Sequence, residues 1–155
     1  MKRMFGVIML CAVASIVIYS CTHVSGTYVS TNGSMAGRSM QGNCMDCHKR
    51  GATEGGFTIG GSLYQSDSVT RYPNGFVDIY SQLDTLGKAV DSSLIAHIEV
   101  DGVGNFYTTH DIDLSQGFYP VVTSSEGYKK TMSTVTTNGA CNSCHGVSTS
   151  NIYVF

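Results

Sequence analysis

Leu94-Ile95-Ala96-His97-Ile98-Glu99-Val100, then Asp101-Gly102-Val103-Gly104-Asn105, then Phe106-Tyr107-Thr108-Thr109, is the stretch whose reading decides the fold. In the first run Leu94, Ala96, Ile98 and Val100 fall on one face, with His97 and Glu99 on the other, the period-two pattern of a half-buried strand. The glycine-rich segment supplies a tight turn, and Phe106 to Thr109 is expected to run back as a hairpin partner.

The same pattern continues on both sides. Phe57-Thr58-Ile59, Gly60-Gly61 and Leu63-Tyr64 predict a strand with a bulge at the glycines. Phe76 to Tyr80 predicts another, and Phe118 to Thr123 and Tyr128 to Val135 two more across a turn at Ser124 to Gly127. Six or seven short strands separated by turn signals point to a mainly β chain, a small antiparallel β-sandwich. Helix signals are weak, with only short turns expected beside the two cysteine motifs described next.

Flanking the β region are two copies of Cys-x-x-Cys-His: Cys44-Met45-Asp46-Cys47-His48 and Cys141-Asn142-Ser143-Cys144-His145. This is the spacing of covalent haem attachment. Cys44 and Cys47, and likewise Cys141 and Cys144, would form thioethers to the vinyl groups of one porphyrin, and His48 and His145 would each give an imidazole nitrogen to iron. Competing readings are a zinc site and a redox dithiol. Paired zinc motifs usually close over roughly 15–20 residues, whereas 93 separate Cys47 from Cys141. A redox dithiol expects a βαβ setting. The motifs therefore predict two covalently bound haem c groups.

The N-terminus carries an export signal. Lys2 and Arg3 precede an uncharged, mostly apolar run from Met4 to Tyr19, too short for the approximately 20 residues that cross a bilayer. Ser20-Cys21 resembles the end of a bacterial lipobox, so Cys21 is the expected lipid attachment site. Thr22 follows it instead of the Asp that retains enterobacterial lipoproteins at the inner membrane, which favours the outer membrane, facing periplasm or cell surface. The expected organisation is a signal peptide over 1–20, a tether over 21–43, a first haem segment over 44–56, the sandwich over 57–137 and a second haem segment with tail over 138–155.

Cysteine usage agrees with this division. Cys11 lies in the signal run, Cys21 is the lipid carrier and the other four are in the motifs, so none remains for a structural disulfide. Without Lys2 and Arg3 the chain has seven basic and eleven acidic residues, a net charge of −4. Its only basic doublets are Lys49-Arg50 and Lys129-Lys130, which excludes a nucleic-acid surface. Lys49-Arg50 follows His48 and is placed to neutralise a haem propionate.

The order of haem motif, Phe57-Thr58-Ile59-Gly60-Gly61-Ser62-Leu63-Tyr64, Ile98 to Thr109, Met132-Ser133 and Ala140-Cys141-Asn142-Ser143-Cys144-His145-Gly146 resembles small exported dihaem cytochromes of metal-reducing and related anaerobic bacteria. Their central region is similar to the transthyretin-like or carboxypeptidase-regulatory-like β-sandwich. The resemblance covers about residues 42 to 155 and implies an electron carrier that works with other redox proteins, mainly cytochromes. The sandwich would then be a spacer that fixes the two haem positions.

Each iron needs a sixth ligand to act as a simple carrier, and a thioether raises the potential relative to imidazole. Relatives often place a histidine shortly before the first motif; this chain has Met35 and Met40 there, and Met40 is the first choice for the first haem. Met132, nine residues before Cys141, is the choice for the second. His110, His97, His23 and Met35 are the alternatives. Two rival functions are a small haem peroxidase or reductase with an open iron, against which Arg38, Arg50 and Arg71 form no recognisable catalytic set, and a self-assembling subunit of a cytochrome filament.

Overall fold

The computed structural model describes residues 42–49 and 56–154. The chain is mainly β. Among the described residues seven strands, β1 (Ile59–Tyr64), β2 (Phe76–Tyr80), β3 (Leu94–Glu99), β4 (Asn105–Thr108), β5 (Tyr119–Thr123), β6 (Lys129–Thr131) and β7 (Ile152–Tyr153), make two sheets, of order β4-β1-β7 and β3-β2-β5-β6. Their inner faces share one core. Ile59 and Leu63 of β1 and Phe106 of β4 meet Val77 and Ile79 of β2, Ile98 of β3 and Val122 of β5. Apolar side chains on alternate positions of both sheets are removed from water only when the sheets face each other, and that burial holds the sandwich together.

The expected strands are present, that over Tyr128 to Val135 shortened to Lys129–Thr131, with four further departures. No bulge occurs at Gly60-Gly61: β1 pairs with β4 in unbroken register from Ile59↔Thr108 to Ser62↔Asn105. These glycines serve close packing instead. A Cβ at Gly61 would stand 2.6 Å from the Phe106 ring, so a side chain there would displace a core aromatic.

The second departure is the predicted hairpin. The turn forms, with the Asp101 carboxylate accepting from the backbone N–H of Val103 at 2.9 Å and of Asn105 at 2.8 Å. It nevertheless joins the two sheets, since β3 pairs with β2 and β4 pairs with β1. The connection is an arch. Alternation tells each strand which face is buried, and that constraint is met equally by a hairpin and by two strands facing each other across a core.

Third, Leu94 is 47% exposed and does not join Ala96, Ile98 and Val100 on the inner face. Ile79 pairs with Ala96 but Tyr80 pairs with Leu94, so Ile95 is an extra residue in β3 that breaks the alternation.

Fourth, the segment after residue 137 belongs to the sandwich. Ala140 bridges to Gly60 in parallel, and β7 pairs in parallel with Leu63 and Tyr64 of β1. The chain thus runs along the edge of β1, leaves it at Cys141, and rejoins it at Ile152. Gly139 makes the approach possible. Its carbonyl accepts from Gly60 N–H at 2.9 Å, and a Cβ on it would lie only 2.0 Å from the Thr58 carbonyl oxygen.

Candidate haem-binding site

Both Cys-x-x-Cys-His segments fold into the same turn. One-turn 3₁₀ helices span Cys44–Asp46 and Cys141–Ser143, each followed by a cysteine in right-handed helical conformation. In each, the histidine N–H donates to the carbonyl of the first cysteine at 3.0 Å, His48 to Cys44 and His145 to Cys141. Residues three apart stack along such a turn, and in the second motif Cys141 and Cys144 line one cavity together with His145. The first cysteine of each pair, Cys44 or Cys141, is half-buried and the second, Cys47 or Cys144, is exposed. The first turn is capped by Asn43, whose side-chain oxygen accepts from Met45 N–H at 3.1 Å.

The second motif is held by the loop that follows it. Gly146, with φ of +87°, reverses the chain so that Ser150 comes back over the histidine ring. The Ser150 carbonyl accepts a hydrogen bond from His145 Nδ1 at 2.8 Å. A carbonyl can only accept, so Nδ1 carries a proton, and in the neutral imidazole that leaves the lone pair on Nε2. That is the tautomer an iron ligand requires, fixed by the hydrogen bond on the opposite ring nitrogen.

In front of this motif lies a largely apolar cavity of about 340 Å³, within the about 300–1,000 Å³ of typical cofactor pockets. Cys141, Cys144 and His145 line it on one side, and Phe106, Met132 and Ile152 are among the residues lining the rest. Met132 lies just after β6, where its N–H donates to the Pro120 carbonyl at 2.9 Å. Lys130 of β6 places its ammonium 3.0 Å from the ring centroid of Tyr153 in β7, joining the two sheets at the cavity wall.

The first motif packs differently. The His48 ring stacks on Phe57 at 4.2 Å and Phe57 on Tyr107 at 4.4 Å, an aromatic ladder running from the motif onto the outer side of β4. His97 and His110 share a separate pocket beyond Tyr107, and His97 is paired with Asp78. They are thus apart from the cavity of the second motif. Cys21, His23, Met35 and Met40 lie outside the described residues.

Electrostatics bear on the dithiol alternative. Burial, followed by the nearby Cys44 thiol, pushes the Cys141 thiol up to about 12, and burial also raises Cys44. Reactive cysteines sit in surroundings that stabilise thiolate; the burial of Cys44 and Cys141 favours the neutral thiol instead. Among the described residues no three His, Cys, Asp or Glu side chains converge as a metal-binding group. The residues present fit a covalently attached haem better, since that needs two thiols on one side of a turn, one tautomer-locked imidazole and an apolar wall. Sequence reasoning singled out both motifs and Met132, which lines the same cavity as the second motif, but not Asn142, a polar residue between two cysteines whose contacts are distant in sequence.

No protein-family model matches the chain, no curated protein is detectably similar to it, and no solved structure resembles it.

Proposed function

We propose that this chain is a dihaem c-type cytochrome that carries single electrons between redox partners outside the cytoplasm. The observation that carries the reading is the repeated turn: two distant Cys-x-x-Cys-His segments share one backbone geometry, and in the second the imidazole is held in the iron-binding tautomer. Haem bound there supplies reversible one-electron chemistry.

The chain's own residues hold and orient that group. Cys44, Cys47, Cys141 and Cys144 anchor it covalently, and His48 and His145 are the proximal ligands. Phe106, Val122 and Ile152 exclude water from the face of the second site. Met132 lines the same cavity as His145, which supports it as the second haem's distal ligand over His97 and His110. A methionine there raises the potential relative to a histidine.

In the same reading Cys21 bears the lipid that holds the domain at a membrane surface, and the partners are other redox proteins, chiefly cytochromes. The support is the basic Lys2-Arg3, the apolar run behind it and the Ser20-Cys21 ending. Among the described residues no helix is long and apolar enough to cross a membrane.

The test is a haem count in protein matured in a haem-competent host. Wild type is expected to hold two haems that survive denaturation, and Cys44→Ser/Cys47→Ser and Cys141→Ser/Cys144→Ser one each. Haem that extracts freely from the denatured chain overturns the reading.

A further inference from the structure

β1 brings the two motifs together. A Cβ at Gly60 would lie 3.6 Å from the Cys44 Cβ, and one at Gly61 would lie 2.9 Å from the Cys141 Cβ. Successive residues of a strand face opposite sides, so the first cysteines of the two motifs flank one strand at consecutive positions. The two motifs are therefore separated there by one strand, not by the width of the sandwich.

A buried side chain locks this arrangement. Asn142, between the cysteines of the second motif, is 8% exposed. Its Oδ1 accepts from Ser62 N–H at 3.0 Å, fixing it to β1. Its Nδ2 donates to the Ser62 hydroxyl at 3.2 Å and to the Gly42 carbonyl at 3.1 Å, and Gly42 lies two residues before Cys44. One amide therefore holds the strand, the second motif and the entry to the first motif together. A cleft of about 400 Å³ opens beside it, lined by Gly42, Asn142 and His145.

We propose that the two haems form a directly coupled pair across β1, and that Asn142 is the positioning residue that sets their mutual placement. This rests on the dihaem reading above. It replaces a picture of two independent sites separated by a β spacer with a compact two-centre unit whose haems sense each other's orientation and charge.

The experiment compares Soret circular dichroism of the wild-type holoprotein with the summed spectra of the two single-haem variants, Cys44→Ser/Cys47→Ser and Cys141→Ser/Cys144→Ser. A bisignate couplet present only in wild type is expected. Asn142→Asp keeps the acceptor for Ser62 N–H but loses the donor to Gly42, and is expected to reduce the couplet by at least half with two haems and the strand signal in the far ultraviolet retained. Wild type equal to the sum, or a couplet untouched in a folded Asn142→Asp, overturns the proposal. Should that variant or a single-haem variant not fold, potentiometry of wild type decides: two haems that titrate with mutual interaction support the pair, and two independent one-electron waves overturn it. A wild-type haem count below two overturns the parent reading, and is read separately from the couplet.

Discussion

His145 illustrates how a backbone acceptor prepares a side chain for chemistry. The Ser150 carbonyl holds a proton on Nδ1 and leaves Nε2 as the nitrogen that could bind iron. On the cavity wall, Met132 offers a soft sulfur. Met132→Ala is expected to abolish the methionine-to-iron charge-transfer absorption of the oxidised second haem, and Met132→His to lower that haem's midpoint potential; a band and potential unchanged in both variants would remove Met132 from the ligand set. The raised Cys141 thiol gives a second expectation. In haem-free protein at pH 8, Cys141 is expected to alkylate at least about tenfold more slowly than exposed Cys144, because so little of it is thiolate. Peptide mass spectrometry after timed alkylation reads this, and equal rates contradict it.

At the scale of elements, docking of the second motif against β1 depends on a residue with no side chain. Gly139→Ala would push a methyl group against the Thr58 carbonyl oxygen, and a destabilisation of about 1–3 kcal/mol is expected in denaturant unfolding; wild-type stability would show that the segment is not held as described. A second tie links the β1–β2 connection to the β5–β6 turn. The Tyr72 hydroxyl donates to Glu126 at 2.7 Å, and with Ser125 it holds that carboxyl down to about 2 from the ordinary 4.5. A lowered carboxyl pKa means stabilisation that is fully present above about 4.5 and lost as pH falls through about 2. Tyr72→Phe is expected to raise the Glu126 midpoint toward 4.5 in an NMR titration, and a wild-type midpoint already near 4.5 refutes the tie. Strand positions were legible in sequence because period-two alternation survives in β4 and most of β3, while β2, buried along Val77 to Tyr80, reads as a short, mostly apolar run. The partners were not, since Ile98, Val100 and Phe106 would face inward in a hairpin or an arch alike. The bulge expected at Gly60-Gly61 is absent; the need for glycine at Gly61 lies in Phe106 and Cys141, which only the tertiary structure brings there.

At the scale of the molecule, the last segment was expected to follow the sandwich and instead completes it: Gly139-Ala140 and β7 line the edge of β1, with the second motif looping out between them. The motifs themselves were fully legible, because cysteine spacing is a local chemical requirement. Their mutual nearness was not, because a 100-residue separation between Gly42 and Asn142 carries no pattern that announces a hydrogen bond. The same holds for the cavity, whose walls come from both sheets. The most direct measurement of the central claim is the intact mass of the denatured, purified holoprotein. The account predicts a chain carrying two covalent haems, mapped by peptide analysis to Cys44/Cys47 and Cys141/Cys144; unmodified thiols at those positions, or zinc released in their place, would contradict it.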